Sequence, residues 1–380
     1  MQKIKMFVDA HCFDTEFQGT QTFVRELYTA LLKKYNDLDI YFGAKNKKNL
    51  LENFPSLDAD KVLPYKYTRP SFIRLVSDIP RYITRTGFHF AHFQNIAPVL
   101  PVSCKSIVTL HDVLFLDYKN EFPSSFCKTR AILFGRSFKK ATIKTTVSSY
   151  SLERISHHYN ILPSNIHVVP NAAEHCKRDG FPFKKNAADY IQKKFNLHNF
   201  ILCVSRMEPR KDHELLLDAY LNLNLYKQNI SLVFIGKKSI KNKSFEQKLQ
   251  ELPEEARKMV VHLEQVSQAD LSAFYSSCLF FVYPSKAEGF GIPPLEAALC
   301  GAPVICSNST AMRDFDFFEP FLFTPGNAVE LKRKMLLMLQ QPHLPNDQDS
   351  ITRKIVNRFS WEKSADTFYQ LLKRHSLPCV

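Results

Sequence analysis

Two short segments carry residue types that could act on a phosphorylated, hydroxyl-rich ligand. The first reads Glu288-Gly289-Phe290-Gly291-Ile292-Pro293-Pro294-Leu295-Glu296. Glycine lets the backbone approach a ligand closely, and proline suits the first turn of a helix. Amides at a helix start, together with the helix dipole, attract an anion. Glu288 in the loop and Glu296 one turn into the helix would then accept hydrogen bonds from ligand hydroxyls. Two glutamates at this spacing are weak evidence alone. The preceding apolar strand, the G-x-G loop, the helix start and both acids together make the reading strong. The second segment is Val204-Ser205-Arg206-Met207-Glu208-Pro209-Arg210-Lys211-Asp212-His213. It gathers Arg206, Arg210 and Lys211 where a strand ends. Arginine offers a planar fork to phosphate oxygens, and lysine a point charge. Arg210 taken alone reads as a solvated loop cation.

Other patterns fail. Gly236-Lys237-Lys238-Ser239 lacks the earlier glycine of a P-loop and reads as a strand-end turn. Gly289-x-Gly291 has Pro294 where a dinucleotide fingerprint needs glycine. Asp314-x-Asp316 could suggest a metal-binding pair, but Asp37-x-Asp39 and Asp58-x-Asp60 show the pattern recurring by chance. His89 and His92 lie three apart in a strand and point to opposite faces. No bound metal is expected.

The segments that must position these residues alternate between short β-rich runs and helical patterns. Strands are expected at Ile4–Ala10, Ile40–Gly43, Phe88–Phe93, Ser106–Leu110, Ile143–Val147 and Ile166–Val169, with helices at Thr20–Lys34, Phe126–Ala141 and from Ser149. The rhythm restarts with strands Phe200–Ser205, Ile230–Gly236, Met259–Leu263, Leu279–Tyr283 and Pro303–Cys306. Helices are expected at His213–Leu223, Gln268–Ser276 and Pro293–Leu299, then to the end of the chain. Apolar strands separated by helices predict parallel sheets covered on both faces. Two such series, broken near Asp179-Gly180-Phe181-Pro182, predict an α/β protein of two doubly wound, Rossmann-like domains facing across a cleft. The expected division is 1–180, 181–357, and a C-terminal helix in 358–380 packing back on the first domain.

Composition narrows the class. A chain of 380 residues with 45% hydrophobic and 23% charged residues is globular and long enough for two or three domains. Only ten residues are glycine, and three of them, Gly289, Gly291 and Gly301, fall within thirteen positions. No apolar run approaches the length of a membrane span, and the first residues do not read as a secretory signal. Nine cysteines, without a C-x-x-C pair, fit a reducing, cytoplasmic setting. The net charge of +14 is concentrated, with 14 basic against 4 acidic residues in 61–144. Residues 122–152 contain no acid and six cations. Two readings of that stretch stay open: an amphipathic helix packed on its own sheet, or docking on anionic lipid at the inner face of the cytoplasmic membrane.

Both motifs, found together, are similar to those of the retaining family 4 glycosyltransferases of the glycosyltransferase B fold, which carry S-R-x-E-x-R-K-x-H and E-G-F-G-x-P-x-x-E segments. Leu110-His111-Asp112-Val113, Thr146-Val147-Ser148, Val168-Val169-Pro170-Asn171 and Phe359-Ser360-Trp361-Glu362 extend the resemblance along nearly the whole chain. The chain departs from the pattern at Ala172, where a glycine usually follows Pro-Asn, at Gly19-Thr20, and across 309–326. The resemblance implies that Arg206 and Lys211 hold the donor diphosphate, that Glu296 bonds the ribose, and that Glu288 bonds the transferred sugar. The amides of Phe290 and Gly291 would complete the cradle, Gly19 would admit the diphosphate to the backbone, and His111 would face the sugar.

The expected activity is therefore retaining, metal-independent and cofactor-free transfer of a sugar from a nucleotide diphosphate, GDP-mannose among the candidates, to a glycan or lipid-linked acceptor in cell-surface polysaccharide synthesis. Two alternatives remain. A nucleotide-sugar epimerase of the same fold would need no acceptor. A basic nucleic-acid-binding protein would explain the charge but leave both motifs idle, and no recognition-module signature supports it.

Overall fold

The computed structural model describes residues 3–14, 19–66, 72–174, 184–240, 242–341 and 348–376. The chain divides into two compact units: Met1–Asn171 with Trp361–Val380, and Ala172–Ser360. The expected break at 179–182 lies outside the described residues.

The first unit is built on seven parallel strands, β1 (Ile4–Asp9), β2 (Leu38–Ala44), β3 (Val62–Pro64), β4 (Phe90–Gln94), β5 (Lys105–Leu110), β6 (Ile143–Thr146) and β7 (His167–Val168). Their order is β3-β2-β1-β4-β5-β6-β7. The apolar runs Met6–Val8 and Ile107–Val108 are fully buried, as strands covered on both faces must be. The helix Gly19–Lys34 follows β1 and buries Phe23, Leu27 and Leu31. The helix Ser124–Lys140 follows β5 and buries Cys127, Phe134 and Phe138 in the core of this unit. Its apolar stripe is thus used internally. The helix Trp361–Ser376 belongs to the same unit. Phe368 sets its ring 6.2 Å from Tyr28 and 5.1 Å from His92. Tyr369 stacks on Tyr35 at 3.6 Å, and Lys34 Nζ donates to Glu362 at 2.8 Å.

The second unit has six parallel strands, β8 (Asn199–Val204), β9 (Ile230–Ile235), β10 (Val260–Leu263), β11 (Phe280–Tyr283), β12 (Val304–Ser307) and β13 (Leu322–Phe323), ordered β10-β9-β8-β11-β12-β13. From β8 the chain winds outward through β9 and β10, then returns to place β11 on the other side of β8. That reversal makes a crevice at the carboxyl ends of β8 and β11, the usual ligand position in an open α/β sheet.

Several elements are absent from the expectations. β3 and β13 are too short to show a period, and the helix Lys184–Phe195 buries only Ala187 and Ile191. The latter is anchored by polar contacts instead: Tyr190 Oη and Lys194 Nζ both donate to Asp270 Oδ1, at 2.7 and 2.6 Å. The strand expected at Phe88–Phe93 starts two residues later. His92 is fully buried there, whereas exposed His89 accepts from the Lys5 amide at 2.9 Å, so the two rings do not meet. Among the described residues no helix is long and apolar enough to cross a membrane.

Candidate active site

The two motif segments meet at the carboxyl ends of β8 and β11. After β8 the chain makes a 3-10 turn, Pro209–Lys211, closed by Asp212 in the left-handed region at φ 52°. Aspartate tolerates that region better than most residues. The turn ties back on itself through Lys211 N to Glu208 O at 3.0 Å and Asp212 N to Pro209 O at 3.1 Å. It also joins the loop after β11, because the Lys286 amide donates to Arg210 O at 2.8 Å. Arg210 and Lys211 are thereby carried into the interior beside Glu288.

Glu288 is the hub. Its Oε1 accepts from Lys211 Nζ at 2.5 Å, Ser285 Oγ at 2.5 Å and Tyr283 Oη at 3.0 Å. Its Oε2 lies 3.3 Å from Arg210 Nη1, which also donates to Ala287 O at 2.7 Å. Lys211 Nζ donates in addition to Tyr283 Oη at 2.9 Å. Burial alone would raise the Glu288 carboxyl; the Lys211 and Arg210 charges and the hydrogen bonds outweigh it and hold the group down at about 2. Burial, reinforced by the Arg210 charge, pulls Lys211 below its ordinary value against the pull of Glu288. The site thus holds a carboxylate that is ionised at neutral pH, wedged between two cations.

Arg210 corrects the sequence reading. It is 8% exposed rather than solvated, and its Nη2 pairs with Glu208 Oε2 at 3.1 Å. Glu208, itself buried, also takes Arg206 Nε at 3.1 Å and Ser239 Oγ at 2.8 Å. Arg206 remains half exposed, the most accessible cation of the segment. Behind it, Ser205 Oγ and His213 Nε2 lie 2.8 Å apart, and burial with the Lys211 charge keeps that histidine neutral, pushed down to about 3.

The glycine loop is built as expected. Gly291 sits at φ 98°, capping the helix Ile292–Leu299 with prolines in its first turn. A Cβ there would stand 2.9 Å from Met312 Cγ. Glu296 is half-buried one turn on and accepts from Tyr275 Oη at 3.0 Å. Phe290 turns its ring inward against Phe315 and Phe359. The divergent segment 309–326 supplies that packing and more. Thr310 Oγ1 accepts from the Glu288 amide at 2.8 Å and donates to Glu288 O at 2.9 Å. Thr310 itself sits at φ 47°, which costs a β-branched residue energy and marks a site held by its surroundings. Ser307 Oγ and Ser309 Oγ brace the loop through Ser285 O at 2.5 and 3.2 Å. The sequence offered no motif for Thr310, Tyr283 or Ser285. For Tyr283 and Ser285 their position at the end of β11, just before the glycine loop, was the only available signal; Thr310, which follows β12, had none.

Two implied site residues lie in the first unit. Gly19 opens the helix after β1, with nothing within 4 Å of a hypothetical Cβ. His111 directly follows β5; its ring packs edge-on against Phe23 at 5.1 Å and its Nε2 meets Gln94 Oε1 at 2.9 Å. Burial lowers it to about 4, so it is neutral at physiological pH. Of the Asp-x-Asp pair, Asp316 is engaged by Arg358 Nη1 at 2.7 Å. Among the described residues no group of three or more His, Cys, Asp or Glu side chains comes together as metal ligands would.

Residues 185–355 match the family of glycosyl transferases group 1, and residues 17–175 match glycosyltransferase family 4. The O-antigen chain mannosyltransferase B of Escherichia coli is 26% identical over 261 residues, which are 68% of this chain and 67% of that protein. A serotype-specific mannosyltransferase, WbdA, also of Escherichia coli, is 25% identical over 77% of this chain; the match takes in only 37% of that longer protein. The sucrose-phosphate synthase of Thermosynechococcus elongatus superposes with a TM-score of 0.74 at 18% identity, covering 98% of this chain and 99% of its own. The two family matches follow one another along the chain, and the motifs of the second surround the Glu288 hub. The chain belongs to the family 4 glycosyltransferases of the glycosyltransferase B fold.

Proposed function

We propose that this chain is a retaining, metal-independent hexosyltransferase that moves a sugar, mannose by preference, from a nucleotide diphosphate to a glycan or lipid-linked acceptor of a cell-surface polysaccharide. The observation that carries the reading is the cluster of Arg206, Arg210, Lys211 and Glu288 beside the Gly291 helix start. Departure of a nucleoside diphosphate concentrates negative charge on the leaving oxygen, and fixed cations and amides stabilise that charge without reorganising. Arg206 and Lys211 are suited to that role, with Glu296 for the ribose and Glu288 for the transferred sugar. A two-step route would need a nucleophile on the far face of the sugar ring. The Glu288 carboxylate is taken up by Lys211, Arg210, Tyr283 and Ser285, which favours a same-face substitution in which the departing phosphate receives the acceptor proton. The names of the mannosyltransferase relatives support mannose as the transferred sugar.

The acid-free stretch 122–152 supports contact with anionic lipid at the cytoplasmic face of a membrane. With Phe134 and Phe138 committed to the core, Lys128, Arg136, Lys139, Lys140 and the 70%-exposed Ile132 remain on the outer side.

The test is incubation of the full chain with GDP-mannose, UDP-glucose and related donors, with and without oligosaccharide or polyprenyl-linked acceptors, in the presence of a chelator. The expected product is a glycoside that keeps the donor's anomeric configuration. Inversion, a chelator-sensitive rate, or an epimerised donor formed without acceptor would each replace this reading. Thermal shift narrows the donor first, because a ligand at 100 times its Kd adds about 2.7 kcal/mol of stability.

A further inference from the structure

A buried polar chain in the first unit ends at His111. Tyr28 Oη lies 2.6 Å from His92 Nδ1, and His92 Nε2 lies 2.7 Å from Thr109 Oγ1 and 3.2 Å from Gln94 Nε2. Thr109 Oγ1 is 2.7 Å from Thr145 Oγ1, and Gln94 Oε1 is 2.9 Å from His111 Nε2. Tyr28, His92, Thr109 and Thr145 are completely buried, and Gln94 is 3% exposed. Groups buried from bulk solvent in this way are satisfied chiefly by one another.

An amide side chain has one donating and one accepting end. With its Nε2 toward His92 and its Oε1 toward His111, Gln94 requires His92 Nε2 to accept and His111 Nε2 to donate. The rest of the chain agrees. The Thr109 hydroxyl donates to His92 Nε2 while accepting from Thr145. The His92 proton then sits on Nδ1 and goes to Tyr28 Oη, whose own hydrogen turns toward Met6 Sδ at 3.9 Å. In this arrangement no donor faces a donor; His92 Nε2 is shared by the Thr109 hydroxyl at 2.7 Å and the longer Gln94 contact at 3.2 Å, and Thr145 Oγ1 also lies 3.4 Å from Val108 O. At the open end, His111 Nδ1 has no hydrogen-bond partner among the described residues.

We propose that Gln94 is a positioning residue: by bridging His92 and His111 it fixes His111 as the Nε2–H tautomer, leaving Nδ1 as a hydrogen-bond acceptor for a hydroxyl of the sugar substrate. This rests on the reading that His111 faces the sugar. A donating Nδ1–H would instead suit a phosphate oxygen, so the tautomer selects the class of group the ring can hold.

The full chain labelled with 15N-histidine tests this directly, with the His111 signals assigned by their loss in His111→Asn. The expected spectrum shows a directly bonded proton on Nε2 and a bare Nδ1. A proton on Nδ1, or comparable populations of both tautomers, overturns the proposal. In Gln94→Met the two tautomers should average, and kcat should fall about 10- to 100-fold, with the donor KM moving by less than about threefold. Unchanged kcat, or a proton still fixed on Nε2 in that variant, also overturns it. If Gln94→Met does not fold, the spectrum of the unsubstituted chain decides. If the unsubstituted chain transfers no sugar, the activity reading fails while the tautomer is still read independently.

Discussion

Glu288, proposed to bind the transferred sugar, is also a structural carboxylate. Lys211 and Arg210 are buried charges that fit the interior because Glu288 pairs with both and Glu208 pairs with Arg210 as well, and the Glu288 carboxylate in turn depends on the two cations. Removing one member of such a set leaves a buried charge unpaired, at a cost of about 3–5 kcal/mol. Lys211→Ala and Glu288→Ala should each lower the stability of the second unit by that order and reduce transfer by about 10²–10³-fold. The double variant should lose distinctly less stability than the sum of the singles, because neither charge is then stranded. Urea melts of all four proteins check the cycle; additive losses would refute the coupling. Glu288 and Lys211 were legible in the sequence because their motifs are compact. Arg210 was not, since its burial depends on Glu208 and on a carboxylate 78 positions downstream, which no local pattern reveals.

The loop-to-helix unit at Gly291 concentrates backbone demands at one place. Its φ of 98° is open to glycine, and an added methyl would collide with Met312. Gly291→Ala should therefore cost about 1–2 kcal/mol from backbone strain, before any cost of displacing Met312. Transfer should fall with a raised donor KM, because the cradle itself is displaced; denaturation and steady-state kinetics read the two effects separately, and a KM equal to that of the parent would count against the cradle. Most strands could be read because a strand buried on both faces is a plain run of Val, Ile, Leu and Phe. β13 and the 309–326 segment could not. Phe315 there meets Phe290 and Phe359 and is backed by Phe317 and Phe318, a wall whose value lies in what it touches and not in any period. The Ser124–Lys140 helix was legible as amphipathic, but only the structure shows its apolar stripe committed to the core.

At the scale of the molecule, buried histidines set the response to acid. His92 and His213 are lowered to about 3 and His111 to about 4, in each case first by burial, from an ordinary 6.5. The unfolded chain takes up protons below pH 6.5 that the folded chain refuses until about pH 4 to 3. Stability is therefore complete above pH 6.5 and falls as pH drops, by up to about 1.4 kcal/mol per pH unit for each such group. Glu288, held at about 2 against an ordinary 4.5, adds a further loss between those values. Trp361 is the only tryptophan and belongs to the first unit with His92 and His111, so its fluorescence reports on that unit. Its urea midpoint should be clearly lower at pH 5 than at pH 7; an unchanged midpoint would contradict the burial of these rings. The same helix that carries Trp361 has a temporal consequence. The second unit is spelled without interruption and can fold as it leaves the ribosome. The first must wait with Phe23, Tyr28 and His92 uncovered until Trp361 and Phe368 arrive after the whole second unit. A transcript truncated before residue 361 would yield a complete second unit joined to an unfinished first one, a substrate for chaperones and proteases.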